Sequence, residues 1–214
     1  MFDEKAAKRL LAIKSHPKYF LKYCTFTKDG NDLDSPCKRF PFHLDYHQKI
    51  IDTWYTERLL IIEKSRQMQI TWGMLACHLW LGLTGPDREI YFRRQTFEDA
   101  QKLLDDMEYV YDHIPESIWP KDLLPEKYTK EGFLAFPEIN TTFYAISSGR
   151  DKMRGRTPTA VLLDEFAFQD DDAMVYQTLK PAFQGGSKIS IVSTPKPLFA
   201  GENPYFKRIM DDTA

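Results

Sequence analysis

Eight residues, Lys64-Ser65-Arg66-Gln67-Met68-Gln69-Ile70-Thr71, run from the end of a short apolar run (RLLIIEK) to the first residue of an apolar stretch of helical length (TWGMLACHLWLGL). A strand, a loop and a helix start in that order can cradle phosphate. Backbone N–H groups converge at the helix N-terminus, a hydroxyl binds Mg²⁺, and a cation neutralises the terminal phosphates. Thr71 supplies the hydroxyl. Set against the pattern GxxxxGK[ST], Gln69 and Ile70 stand where glycine and lysine belong, which leaves Lys64 or Arg66 as the cation. The plainer alternative is a basic loop capping an ordinary helix.

Further along, Val161-Leu162-Leu163-Asp164-Glu165 is an apolar strand ending in two acids. Asp164 can hold Mg²⁺ through water, and Glu165 can polarise an attacking water. Adjacent carboxylates at a strand end otherwise mean only a solvated turn. The run Ile189 to Pro195 (ISIVSTP) is a strand whose end carries the hydroxyls of Ser193 and Thr194, which can sense the terminal phosphate or relay its loss. In isolation it is a strand leaving through a proline turn.

These groups need elements to position them. Residues 4–14 have helical spacing, closed by Pro17, and the polar stretch TKDGNDLDSPCK predicts a mobile loop or hairpin tip. Asp45 is expected to cap a helix through YHQKIIDTWY. The strand RLLIIEK follows, and after the loop the helix TWGMLACHLWLGL, stopped at Thr84-Gly85-Pro86-Asp87. EIYFRR predicts a strand, and FEDAQKLLDDMEYVYDHI an amphipathic helix with Leu103, Leu104, Met107, Val110 and Tyr111 on its apolar face. Residues 115–137 read as a proline-broken excursion with one strand at GFLAF. TTFYAIS, TAVLLDE and KISIVST complete the strands, with AMVYQTLKPAF as the helix between the last two. Strands alternating with helices predict a mostly parallel, three-layer α/β sheet, and such sheets bind ligands at the carboxyl ends of their strands.

The 214 residues, 43% of them hydrophobic, suffice for one well-buried core. No run of eighteen apolar residues and no signal-like N-terminus occurs, so a soluble intracellular protein without membrane contact is expected. Cys24, Cys37 and Cys77 form no CxxC pair and read as reduced thiols; near His43 and His47 the first two fit no common zinc spacing. A net charge of −2 lacks the basic excess of an autonomous nucleic-acid binder, so any DNA contact is local, transient or shared between subunits. Arg93, Arg94 and Lys102 can form one local basic patch for DNA phosphates, or simply a solvated helix end.

Taken in order, these pieces resemble the ATPase domain of phage terminase large subunits, from about residue 42 to the end. FHLDYHQKII resembles the family's adenine-side segment, with Tyr46 and Gln48 at the matching positions. KSRQMQIT resembles its Walker A region, LLDE followed by FAF its Walker B, and STPK its coupling motif. Met153-Arg154-Gly155 resembles the segment from which some terminases supply an arginine finger to a neighbouring subunit. The resemblance implies a P-loop NTPase of the RecA/ASCE type that binds ATP and Mg²⁺, with Lys64 as the phosphate lysine of members that carry it at the loop's start. It further implies Thr71 and Asp164 at the metal, and Glu165, Lys64, Arg66 and Arg154 as catalytic groups. Implied partners are double-stranded DNA, other copies of the chain in a ring, the portal protein and the small terminase subunit, in the cytoplasm of an infected host. Residues 1–41 are expected to be a lead-in belonging to the same domain as the core at 42–214, without the nuclease domain that follows in full-length terminases.

Two other readings compete. A superfamily 1 or 2 helicase shares the glutamine, Walker and Ser-Thr elements but needs a second RecA-like domain. A catalytically dead nucleotide-binding scaffold would account for the missing lysine at position 70, but has no chemical use for Glu165 beside Asp164.

Overall fold

The computed structural model describes residues 4–30, 32–147, 157–169, 172–196 and 205–213. The helical spacing at the start gives α1 (Glu4–Ser15). Pro17 closes that helix without ending helical structure. It sits in the first turn of α2 (Pro17–Cys24), where a missing N–H leaves no bond unmade, and His16 Nδ1 accepts from the Lys18 amide at 3.2 Å as the cap. The polar stretch that follows is the tip of an antiparallel hairpin, β1 (Phe26–Lys28) with β2 (Cys37–Arg39). Next comes α3 (Asp45–Thr56). Its cap position is Leu44, with no side-chain bond, so the expected cap by Asp45 is not made; as the first helical residue, Asp45 faces the positive end of the helix dipole instead.

The main sheet is built from β3 (Leu59–Glu63), β4 (Arg88–Arg93), β5 (Tyr128–Lys130), β6 (Phe133–Phe136), β7 (Thr141–Ile146), β8 (Ala160–Asp164) and β9 (Lys188–Ser193). Their spatial order among the described residues is β3-β9-β8-β4-β7-β6-β5. The first five run parallel, and β6 and β5 add an antiparallel edge. The expected strand at residues 132–136 is β6. Its partner β5 escaped the sequence reading because all three of its residues are exposed and carry no apolar alternation. The remaining helices are α4 (Ile70–Leu83), α5 (Phe97–Asp112), α6 (Asp172–Gln184) and α7 (Tyr205–Thr213).

The central strand β8 is buried on both faces, which makes it a continuous apolar run, and β9 beside it is buried almost throughout. Along β8, Ala160 and Leu162 join the core shared with α3, α4 and α5, while Val161 and Leu163 join a second core under α6 and α7. In β4, Ile90 and Phe92 take the first side and Tyr91 the second. The sheet is therefore the middle of three layers, as the alternation of elements predicts.

Helix α4 is apolar on every side, so it cannot lie on the surface. It packs between the sheet and α2, and Trp80 Nε1 donates to the Ile13 carbonyl at 2.7 Å, tying α1 to the same core. Gly82 permits its close approach to β7, since a Cβ there would lie 2.3 Å from the Phe143 ring. The last strand in sequence, β9, lies between β3 and β8. Their parallel direction brings the loop after β3, the acids after β8 and the hydroxyls of β9 to one edge of the sheet.

Candidate active site

The loop from Lys64 to Gln69 opens with the Lys64 amide donating to the Ser193 carbonyl at 2.9 Å, which fixes its start against β9. It closes with Gln69 at the cap position of α4, φ 54° and ψ 21°, in the left-handed region. Gln67 also has positive φ, 63°. Position 69 is where the phosphate-loop pattern calls for glycine. The loop thus keeps the glycine's backbone conformation while carrying a side chain that disfavours it. The Gln69 Oε1 atom is buried without a hydrogen-bond partner among the described residues. Ile70, at the usual lysine position, is packed in the core at 2% exposure and makes no polar contribution.

Lys64 crosses that gap. Its side chain, 10% exposed, reaches from the end of β3 to the end of β8, where Nζ lies 2.9 Å from Glu165 Oε1. Arg66 is exposed and has no ion-pair partner among the described residues. Ser65 is likewise exposed, and Met68 is half-buried. The Tyr46 hydroxyl, from the first turn of α3, donates to the Met68 carbonyl at 3.5 Å and so touches the loop. Gln48 Nε2, on the same helix turn, donates to the His43 carbonyl at 3.4 Å.

Asp164, which ends β8, and Glu165, which follows it, face different partners. Asp164 is fully buried; its Oδ1 accepts from Thr71 Oγ1 at 3.0 Å, and its Oδ2 accepts from Nε and Nη2 of Arg94. Glu165 turns away with φ 50° and ψ 45°, a strained backbone for a non-glycine residue and of the kind that collects at functional sites. Its Oε2 accepts from Thr194 Oγ1 at 3.0 Å and from the Thr194 amide at 3.4 Å. Burial by itself raises the Glu165 carboxyl, but the bond and charge of Lys64, with the two Thr194 donors, outweigh it and hold the group below the usual glutamate range. Glu165 is therefore ionised in the near-neutral range.

Ser193 is buried and bridges the two strand ends. Its Oγ accepts from the Ala167 amide at 3.0 Å and donates to the Thr194 carbonyl at 2.9 Å. Lys64, Thr71, Asp164, Glu165, Ser193 and Thr194 thus come together. Arg154, with Met153 and Gly155, lies outside the described residues.

Arg93, Arg94 and Lys102, which the sequence leaves open as a basic patch or a solvated helix end, have partners within the protein. Arg93 is buried and donates to Gln169 Oε1, whose Nε2 donates to the Asp164 carbonyl at 3.2 Å; Arg94 pairs with Asp164; and Lys102 is bound to Asp99 at 2.8 Å. Both arginines serve the cleft, not the surface. Sequence reasoning missed this because the adjacency of β4 and β8 is a property of strand order. The one available signal was a pair of arginines closing an apolar strand.

Such an arrangement can hold a metal ion between a hydroxyl and a carboxylate, neutralise an anion with a lysine, and polarise water with a second carboxylate. No family model and no curated relative matches the sequence. Solved structures do. The large terminase of bacteriophage HK97 superposes with a TM-score of 0.67 at 17% identity, over 94% of this chain and 41% of that one. Two structures of the large terminase ATPase domain of Thermus phage P74-26, one of them a mutant, superpose with TM-scores of 0.58 and 0.55 at 17% and 18% identity; each match covers 72% of this chain and 66% or 65% of that one. The chain thus spans well under half the length of the HK97 protein. At these identities the likeness is one of fold, and the fold is that of a P-loop NTPase.

Proposed function

We propose that the chain is an ATP-hydrolysing motor domain of the phage terminase large-subunit kind, which drives viral DNA into a procapsid. The observation that carries this reading is the convergence of Lys64, Thr71, Asp164, Glu165 and Thr194 at the carboxyl ends of three adjacent parallel strands. A fold shared with terminase ATPase domains supports it.

The residues present fit a magnesium–nucleotide complex. Mg²⁺ takes oxygen ligands. Thr71 Oγ1 and Asp164, joined by a 3.0 Å hydrogen bond, are the groups that would hold it, the carboxylate through water. The bound metal would supply charge neutralisation and orientation at the terminal phosphates. Backbone amides at the start of α4 bind phosphate oxygens, and Lys64 adds the positive charge that Ile70 cannot. Arg66, exposed on the same loop, braces it or contacts the terminal phosphate. Tyr46 and Gln48 form the adenine side. Glu165, released from Lys64 when that lysine turns to phosphate, orients and polarises the attacking water. Thr194 then carries the state of Glu165 into β9, and Ser193 carries it to the turn after β8.

Arg154 acts on the nucleotide of a neighbouring copy, so the competent form is a ring. Its further partners are double-stranded DNA, the portal protein and the small terminase subunit, in the host cytoplasm. No described helix is long and apolar enough to cross a membrane. The test is the ATPase rate against protein concentration, with and without duplex DNA. Specific activity should rise with concentration and with DNA, and magnesium-dependent hydrolysis absent under every condition would overturn the reading.

A further inference from the structure

Arg94 lies just past the end of β4, and β4 lies against β8. Two of its guanidinium nitrogens donate to Asp164 Oδ2, while Oδ1 of the same carboxylate accepts from Thr71. Asp164 has no exposure to solvent, and a buried carboxylate without a counter-ion is costly. The counter-ion of Asp164 is therefore Arg94, on the same carboxylate that accepts from Thr71.

We propose that Arg94, the counter-ion of Asp164, competes with the divalent cation for that carboxylate and gives it up when a cation binds between Thr71 and Asp164. The proposal rests on the reading of this cleft as a magnesium–nucleotide site. A metal ion and a guanidinium on one buried carboxylate repel each other, so a bare cation binds against Arg94. A cation that arrives with a triphosphate brings negative charge that offsets the repulsion. The site therefore discriminates against metal without nucleotide, and metal occupancy is reported to the turn between β4 and α5. Arg94 is a positioning residue for Asp164.

The test is titration of Mn²⁺ alone into the nucleotide-free chain, with free Mn²⁺ followed by electron paramagnetic resonance. Arg94→Gln should bind Mn²⁺ at least about tenfold more tightly than the parent, a modest share of what removing a unit charge next to a buried carboxylate can do. Arg94→Lys, which keeps the charge, should stay within about twofold of the parent, and adding Asp164→Asn to Arg94→Gln should abolish the gain. In thermal melts Arg94→Gln should lose stability without metal and regain it with Mn²⁺, because the cation replaces the lost counter-ion. A purely structural arginine gives the loss without the recovery. Equal or weaker Mn²⁺ binding by Arg94→Gln, or a gain that survives Asp164→Asn, overturns the proposal.

Should Arg94→Gln not fold, Arg94→Met, which keeps the length of the stem without the charge, carries the test. It should bind Mn²⁺ more tightly than the parent by a similar factor, and unchanged or weaker binding overturns the competition. The underlying site reading fails separately, if Asp164→Asn in the otherwise intact chain hydrolyses ATP at the parent rate.

Discussion

Glu165→Gln separates two roles that the cleft gives one carboxylate. In the structure the group holds Lys64 at 2.9 Å; in the proposed reaction it polarises water. The amide keeps the size and an acceptor but loses the charge. For two unit charges at that distance and an effective dielectric of about 20, the gross attraction is roughly 6 kcal/mol. The Glu165 side chain is 35% exposed, so solvent screening and side-chain entropy reduce the net value to about 1 kcal/mol or less. The parent has to break that pair before Lys64 can turn to phosphate, whereas the variant does not. The Kd for ATP should therefore be unchanged or fall by up to about fivefold. Hydrolysis should fall by about 10²–10⁴-fold, the usual contribution of a positioned base, or roughly 2.7–5.4 kcal/mol of barrier. Titration with a fluorescent ATP analogue gives the first number and phosphate release under saturating ATP the second. Hydrolysis at the parent rate would refute the assignment of Glu165, and ATP binding weakened more than about tenfold would refute the argument from the ion pair.

Lys64→Ala should abolish hydrolysis and weaken ATP binding by about 10–100-fold, with AMP binding nearly unchanged, as expected for a charge-assisted contact confined to the terminal phosphates; calorimetry with the two nucleotides checks this, and parent-like behaviour would shift the role to Arg66. Gln69→Gly should stabilise the protein by about 1 kcal/mol, a rise in Tm of about 2–4 °C, because relief of the left-handed backbone and loss of an unpartnered buried amide oxygen outweigh the entropy glycine adds to the unfolded chain. A fall in Tm would show that the Gln69 side chain is held by contacts worth more than its strain. Mixing Arg154→Ala with Glu165→Gln should restore part of the turnover that each variant lacks alone, since a subunit with an intact finger can serve one with an intact acid; no recovery in assemblies shown to contain both would assign Arg154 to its own site.

What could be read from the sequence divides along physical lines. The apolar runs of β3, β4, β8 and β9, and the all-round apolar α4, announce themselves by burial, and the acids at the end of β8 follow from where that run stops. Lys64 as a cation could be proposed from the absence of lysine at position 70, because charge neutralisation is a local requirement. Exposed β5 has no burial signal, and α2 was hidden by reading Pro17 only as a terminator when it also starts helices. Arg94 could not be placed at all. Its partner lies seventy residues away, on a strand whose neighbours are set by topology. The left-handed backbone at Gln67, Gln69 and Glu165 was equally invisible, since none of these residues advertises that conformation as glycine would.

The position of β9 also governs the order in which the molecule can be assembled. Leu60 pairs with Ser190 and Leu162 with Ser190 on its other side, so the strand that joins the phosphate-loop strand to the acid strand is made after both. As the chain leaves the ribosome, β8 and β4 can associate early, but β3 has no partner in the main sheet until residues 188–193 appear. During that interval the apolar strand destined for one edge of the sheet stands unpaired, a long-range closure of the kind that slows folding and exposes sticky edges. Truncation before residue 188 would leave a gap between β3 and β8 and separate the two halves of the site, whereas loss of the outer β5 would only shorten an edge. The same insertion makes assembly of the cleft one of the last events in folding, so that a chain with Lys64 and Glu165 in contact is a chain whose central sheet is closed.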